Sequence, residues 1–201
     1  MGINFKYRCR KLVMRFKRLG LKNRNFTVIS NNCIAGCLLH DFGMEFCTPT
    51  INLYMPFPDY INFLKDIQHI ATLPLRDAGV SKDGAPCGFI GGGRIVFLHY
   101  TSFVEAASAW YRRVIRINWD NIYYILVERD GCTHQDLLEF DKLHFKHKVA
   151  LVHKPYDDIN CAVYIEGFES KHELGNIMDF NGYFGSRYYD QFNWINFFNK
   201  K

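Results

Sequence analysis

The six-residue run IYYILV at 122–127 is the feature that most restricts the fold of this chain. Every residue in it is apolar, whereas a strand with one face in water would alternate apolar and polar residues. A second unbroken apolar run, at 149–152, follows a helical pattern at 133–143. Continuous apolar strands are typical of parallel sheets that helices cover on both faces. We therefore predict an α/β fold: a largely parallel sheet with flanking helices and Rossmann-like, right-handed connections.

The rest of the chain extends this alternation of strands and helices. A predicted strand at 95–99 and a helix at 102–117 precede the two buried strands, so that 95–152 alternates strand, helix, strand, helix and strand. The length of 201 residues fits a single α/β domain at 25–201 behind an N-terminal arm at 1–24. The other predicted elements are strands at 26–30 and 50–55, helices at 34–42 and 58–71, a loop at 73–86, a hairpin-like turn in the glycine cluster at 88–95, and a helix in the tail at 183–198.

The N-terminal arm differs in charge from the rest of the chain. Residues 6–24 hold nine basic side chains and no acidic one, while the other sixteen basic side chains accompany twenty acidic ones. Leu12, Val13, Phe16 and Leu19 recur at helical spacing, so the arm is a predicted basic amphipathic helix. Such a helix favours an anionic membrane surface. A solvated helix packed on the domain, without an external partner, is the leading alternative to the membrane surface. Nucleic acid is the less favoured partner because stackable aromatic side chains are not interleaved with the basic ones.

Cysteine usage and hydropathy bear on the cellular compartment. The seven Cys are scattered, with no CxxC pair and no disulfide framework, which favours a reduced, cytoplasmic protein. No apolar run approaches the roughly 18 residues that span a bilayer, and the N-terminus lacks the pattern of a signal peptide. We therefore predict a cytoplasmic protein that is peripheral at the inner face of the cell membrane through residues 6–24.

Polar residues gather where the predicted strands end, which is where α/β folds bind their ligands. Ser30, Asn31, Asn32 and Cys33 follow the first strand. Cys33 begins a predicted helix, whose N-terminus lowers the pKa of a thiol and favours a thiolate nucleophile; a buried, inert Cys is the alternative. Asn31 and Asn32 either cap this helix or donate hydrogen bonds to an oxyanion. Ser30 lies beside them as a further substrate-binding candidate.

Two histidines are candidates for the base that such a nucleophile needs. His40 lies seven residues further along the same helix, at about 10 Å from Cys33 by helix rise. A direct hydrogen bond across this distance is disfavoured. His99, at the end of the strand at 95–99, is the better candidate if that strand neighbours the first one.

A second polar cluster follows the strand at 122–127. Arg129 suits a phosphate or a carboxylate, and Asp130 suits the orientation of a histidine. An ion pair within a solvated turn is an equally good interpretation of the two. Glu128 directly before them and His153 after the last buried strand lie at the same type of strand end.

Metal binding is the least favoured chemistry for this chain. Cys33, Cys37 and His40 fall on one helical face, and Cys47 or His99 would have to complete a set of four ligands. No CxxC or HExxH motif supports such a site. We therefore expect no metal.

Five short motifs carry a resemblance to a known family. They are ISNNCIAG at 29–36, TPT at 48–50, FLHY at 97–100, RINWDN at 116–121 and RDGCT at 129–133. In this order they resemble a bacterial domain family of unknown function whose members are often described as exopolysaccharide biosynthesis proteins. The resemblance runs from about residue 26 to about residue 154, and it implies a role in making an exopolysaccharide or capsule.

The turn at Asn32 and Cys33 is also similar, more locally, to capsule-polysaccharide acetyltransferases. In these a strand, an Asn-Cys pair and a helix lie near bound coenzyme A. This resemblance implies an acyltransferase that uses acetyl-coenzyme A to modify a surface-polysaccharide sugar or a lipid-linked sugar precursor. Cys33 would then be the nucleophile or lie next to the thioester. A glycosyltransferase-like sugar-transfer enzyme and a non-catalytic, membrane-associated assembly factor are the alternatives.

Overall fold

Two sheets and a set of helices make up residues 2–200, the part of the chain that the computed structural model describes. None of the helices in this part is long and apolar enough to cross a membrane. In chain order the elements are α1 (Ile3–Gly20), β1 (Thr27–Ser30), α2 (Ile34–Phe42), α3 (Asp59–Lys65), α4 (Ile67–Ile70), β2 (Arg76–Val80), β3 (Pro86–Ile90), β4 (Gly93–Val96), α5 (Phe103–Val114), β5 (Ile122–Val127), α6 (His134–Lys142), β6 (His147–Val152), β7 (Ala162–Tyr164), a 3-10 turn (Tyr188–Gln191) and α7 (Trp194–Phe198).

The larger sheet is parallel throughout and has the strand order β1-β5-β6-β7. Strand β5 lies in its middle, and all six of its residues are buried. Side chains alternate between the two faces. Leu126 packs on one face with α3 to α6, and Val127 packs on the other with α1, α2 and α7. The predicted α/β fold with a largely parallel sheet and flanking helices is confirmed.

The smaller sheet is antiparallel and corrects three sequence predictions. Its order is β2-β3-β4. The apolar run predicted as a strand at 95–99 contributes to β4 and does not join the parallel sheet. The predicted loop at 73–86 contains β2, and the predicted strand at 50–55 makes only a bridge between Tyr54 and Val96. A two-residue turn at 91–92, with both glycines at positive φ, joins β3 to β4 as a hairpin. Such local pairing needs no crossover connection, whereas entry into a parallel sheet does.

The C-terminal tail folds against one face of the parallel sheet. The structure has a 3-10 turn and the short helix α7 where the sequence pattern predicted one helix at 183–198. Asn193 caps α7 by accepting a hydrogen bond from the Asn196 backbone, so the helix begins only there. Phe198 stacks on Phe26 just before β1, and Tyr123 of β5 donates a hydrogen bond to the Phe198 carbonyl.

Helix α1 is held on the domain by a buried arginine. Arg10 is 5% exposed and donates hydrogen bonds to the carboxylates of Asp41 and Asp190 and to the Tyr189 hydroxyl. It also donates to the Gly185 carbonyl at 2.9 Å. Gly185 has φ +79°, and a Cβ there would lie 2.2 Å from the Lys6 carbonyl oxygen. Only glycine therefore permits this approach of the tail to α1.

The charges in this cluster stabilise one another against their burial. Burial alone would lower the pKa of Arg10, but its hydrogen bonds to Asp190 and Asp41 outweigh burial and raise that pKa. Burial alone would raise the pKa of Asp190, but the hydrogen bond from Arg10 lowers it. A buried ion cluster of this kind is costly to break by removal of one partner, since the others then remain buried and charged.

Arg10→Met tests this anchor. We expect the variant to lose about 3–5 kcal/mol of unfolding free energy, because the carboxylates of Asp41 and Asp190 remain buried without the Arg10 guanidinium. Urea denaturation followed by circular dichroism measures the loss. Arg8→Met is the matched control, since Arg8 is exposed on the same helix, and it should change stability by less than about 0.5 kcal/mol. Equal effects of the two substitutions would contradict the anchoring role of Arg10.

Candidate functional site

A cleft opens where β1 and β5 end, at the carboxyl edge of the parallel sheet. Its volume is about 520 Å³. The two strands are adjacent, with Ser30 opposite Ile125, so the residues that follow them meet at this edge. The structure brings five sequence-predicted site residues together as part of the lining: Asn32, Cys33, His99, Arg129 and Asp130.

His99 reaches the cleft by a route that the sequence pattern did not predict. Its strand is not a neighbour of β1. Instead the segment at 50–55 links the two: the Met55 amide donates to the Asn31 carbonyl at 2.8 Å, and Tyr54 bridges to Val96 of β4. The exposed imidazole of His99 has no hydrogen bond or ion pair to another residue within 2–200. A ligand in the cleft can therefore reach its ring nitrogens without displacing a protein partner.

The side chains of Ser30 and Asn31 stabilise the turn through hydrogen bonds to the backbone. Asn31 donates from Nδ2 to the Val127 carbonyl at 3.0 Å and accepts at Oδ1 from the Val127 amide at 2.9 Å. This pair of hydrogen bonds joins the end of β1 to the end of β5. Ser30 Oγ donates to the Asn32 carbonyl at 2.6 Å and accepts from the Ala35 amide at 3.3 Å. Both side chains thus have partners inside the protein.

Asn32 is different because half of its amide has no partner. The side chain is 4% exposed, and Oδ1 accepts a hydrogen bond from the Ile34 amide at 3.1 Å, which starts α2. This bond also fixes which side of the amide is nitrogen. Nδ2 has no hydrogen-bond partner among residues 2–200. A buried donor without an acceptor costs about 1–3 kcal/mol, which makes Asn32 the unusual residue of this turn.

The Cys33 thiol is protonated at neutral pH. Burial raises its pKa to about 11, and the neighbouring Cys37 adds to the shift. The thiol points to the Leu53 carbonyl at 3.7 Å. The expectation that the N-terminus of α2 would lower this pKa is wrong, because desolvation of the thiolate outweighs the partial charge of a helix end.

Arg129 and Asp130 form an ion pair at the rim, with Nε 3.1 Å from Oδ2. Arg129 also donates from Nη1 to the Gly175 carbonyl at 3.3 Å. Asp130 has φ +59°, the conformation of a tight turn. The carboxylate of Asp130 thus pairs with the guanidinium of Arg129, and both residues line the cleft.

His40 lies outside the cleft. It is in the last turn of α2, and its side chain is 81% exposed next to Asp41. Cys33 lies at the other end of the same helix, so no movement of a side chain joins the two. No three His, Cys, Asp or Glu side chains among residues 2–200 converge on a point where they could hold a metal ion.

Comparison with known proteins places the chain in a family. A model of a domain of unknown function, DUF1919, matches residues 4–199. The chain belongs to this family. An uncharacterized protein of Haemophilus influenzae (strain ATCC 51907 / DSM 11121 / KW20 / Rd) is 40% identical over 179 residues, which cover 89% of this chain and 86% of that protein. The predicted membership of a family of unknown function is confirmed.

One polar cluster of this DUF1919 chain was only partly found by sequence reasoning. Glu128 is 2% exposed; its Oε2 accepts from the His153 amide at 2.8 Å and lies 2.7 Å from His153 Nδ1. Its Oε1 accepts from the Tyr156 hydroxyl at 2.6 Å. The strand-end rule identified Glu128 and His153, but Tyr156 lies in a loop with no motif. The cluster ties the ends of β5 and β6 together beside the cleft.

The state of Cys33 is testable by alkylation at different pH. We expect the rate of labelling by iodoacetamide to rise about tenfold per pH unit between pH 7 and 10, because the thiolate fraction does so below the pKa. Peptide mass spectrometry separates Cys33 from the other six Cys. At pH 7.5 the thiolate fraction is about 100-fold below that of a thiol with an unperturbed pKa. A rate that levels off near pH 7 would show an activated thiol instead.

Proposed function

We propose that the protein acts in the biosynthesis of an exopolysaccharide or capsule as an acyltransferase. It would move an acetyl group from acetyl-coenzyme A to a hydroxyl of a polysaccharide sugar or of a lipid-linked sugar precursor. The observation that carries this proposal is that one cleft is lined both by Asn32, whose Nδ2 donor has no partner among residues 2–200, and by His99, whose side chain is exposed. A donor and a base on opposite sides of a bound thioester are what acyl transfer requires.

The proposed step is direct transfer to the acceptor. His99 removes the proton of the sugar hydroxyl while its oxygen forms a bond to the thioester carbonyl carbon. Asn32 donates a hydrogen bond to the resulting oxyanion. The C–S bond then breaks, and the protonated His99 returns its proton to the leaving thiolate, so that no atom or charge is left over.

The remaining cleft residues have supporting roles in this proposal. Cys33 is the group next to the thioester and not the nucleophile, because a thiol with a pKa of about 11 is protonated at neutral pH. Arg129 binds a phosphate of the donor, with its orientation held by Asp130. Ser30 and Asn31 support the turn that carries Asn32.

Sugar transfer from a nucleotide sugar is the second candidate. The feature that favours it is Arg129, since a guanidinium at the carboxyl edge of an α/β sheet suits a diphosphate equally well. For either activity we propose a cytoplasmic location at the inner face of the cell membrane, where lipid-linked precursors are made. A non-catalytic assembly factor would bind neither donor.

Ligand-induced stabilisation tests the donor. Acetyl-coenzyme A at about 100 times its dissociation constant should add about 2.7 kcal/mol of unfolding free energy, read as a rise in Tm. Asn32→Asp keeps the oxygen that caps α2 but replaces the amide donor, so the rise should shrink. A rise with nucleotide sugars alone would favour sugar transfer, and no rise with any donor would contradict both enzymatic proposals.

A matched pair of histidine variants tests the base. His99→Ala should lower kcat/KM for acetyl transfer by about 10²–10⁴, the usual contribution of a general base. His40→Ala removes another exposed imidazole, which lies outside the cleft, and should change kcat/KM by less than about twofold. Release of free coenzyme A thiol in the presence of acceptor measures both rates. Full activity of His99→Ala would refute the assignment of the base.

A further inference from the structure

Helix α1 has an apolar stripe that faces away from the domain. The buried side of the helix holds Arg10 and Met14, which are 5% and 4% exposed. At about 100° per residue, four large apolar side chains fall within a sector of about 60° on the opposite side. They are Phe5, Leu12, Phe16 and Leu19, with exposures of 43%, 58%, 72% and 81%.

The domain contacts hold the stripe in this orientation. Turning the stripe inward would take Arg10 away from Asp41 and Asp190, and these are its buried charge partners. A second arginine adds to the hold: Arg18 donates to the carbonyls of Asp41 and His40 at 2.7 and 3.1 Å, at the C-terminal end of α2. The outward direction of the stripe is therefore a consequence of the charges that dock the helix.

Positive charge without a counterion borders the stripe. Arg8, Lys11 and Arg15 lie along one of its edges by helical geometry. They are exposed and form no ion pair with other side chains of residues 2–200. Lys17, by contrast, lies towards the domain and pairs with Asp190 at 3.6 Å. The outer half of α1 thus exposes apolar side chains and cations without counterions on the same side of the helix.

We propose that this outer half of α1 docks the protein on an anionic lipid bilayer, with Phe5, Leu12, Phe16 and Leu19 inserted among the lipid chains. The neighbouring cations then meet the headgroup phosphates, as in helices that lie in the membrane interface. A second copy of the chain is a poorer occupant, since it would bring its own Arg8, Lys11 and Arg15 against the same three cations here. Nucleic acid offers charge but no apolar surface for the stripe.

The docking surface on α1 would account for the proposed peripheral location, and it does not depend on acyl transfer. Its failure would leave the cleft chemistry intact, and failure of the donor tests would leave the docking intact. Arg10 and Arg18 keep α1 packed on α2. The helix would therefore bind lipid as part of the folded domain and not as a detached arm. The cleft is then held near the bilayer by a folded element and not by a flexible tether.

Vesicle co-sedimentation of the full chain tests the proposal. Wild-type protein should bind vesicles of about three parts phosphatidylcholine to one part phosphatidylglycerol at least about tenfold more tightly than pure phosphatidylcholine vesicles. Binding should weaken as salt is raised, because added ions screen the headgroup charge. The double variant Phe16→Ser/Leu19→Ser should bind the anionic vesicles at least about tenfold more weakly, since it removes the two most exposed members of the stripe.

The matched control is Val104→Ser/Ile115→Ser. It removes one side chain in α5 and one directly after it, which are 73% and 84% exposed and remote in sequence from the stripe. This variant should bind anionic vesicles as wild type does. Thermal unfolding checks that both double variants fold. Equal binding to neutral and anionic vesicles, an equal loss in both double variants, or no binding by wild type would each overturn the proposal. A self-association that depends on Phe16 and Leu19, without vesicle binding, would overturn it in favour of a dimer.

Discussion

The two hydrogen bonds between the Asn31 side chain and the Val127 backbone set the geometry on which the candidate site depends. They join β1 to β5 at the point where both strands stop pairing. Parallel strands that are distant in sequence reach the same edge only through a long connection. The amide of Asn31 completes this edge with side-chain bonds, and the residues after each strand then face one another across the cleft.

Four consecutive residues at this turn, at 30–33, have different hydrogen-bonding roles. Ser30 and Asn31 satisfy backbone groups, and Asn32 satisfies one with its oxygen only. Cys33 stays neutral because its thiol is enclosed. Nδ2 of Asn32 is the buried side-chain nitrogen of this turn that has no hydrogen-bond partner among residues 2–200. Buried polar groups are usually paired, so this exception directs attention to the cleft beside it.

On the side of α2 that faces α1, the packing depends on buried charges. The Arg10 cluster binds α1, α2 and the C-terminal tail to one another, with Tyr189 and Asp190 contributed by the tail. Apolar packing from Met14 and Trp194 adjoins it. An arginine at this position fixes the orientation of α1, because only that orientation pairs its guanidinium with both carboxylates.

The local pattern of the sequence determined the parallel sheet, the flanking helices and the amphipathic character of α1. These depend on which residues are apolar and at what period, and both can be read along the chain. The strand-end rule likewise identified Asn32, Cys33 and Arg129, which follow β1 and β5 and line the cleft. His99 lines it too, but it follows a strand that the sequence pattern placed in the wrong sheet. The sequence did not determine which of these side chains has a hydrogen-bond partner or which is ionised.

Only the tertiary structure decided which asparagine is paired, whether the thiol ionises and which side of α1 faces outward. Each of these depends on atoms from distant segments: Val127 for Asn31, the enclosing wall for Cys33, and Asp41 and Asp190 for Arg10. The sheet assignment of β4 and the path that brings His99 to the cleft also depend on a distant partner, Tyr54. Periodicity specifies a local element, whereas pairing and desolvation arise only when the chain brings such segments together.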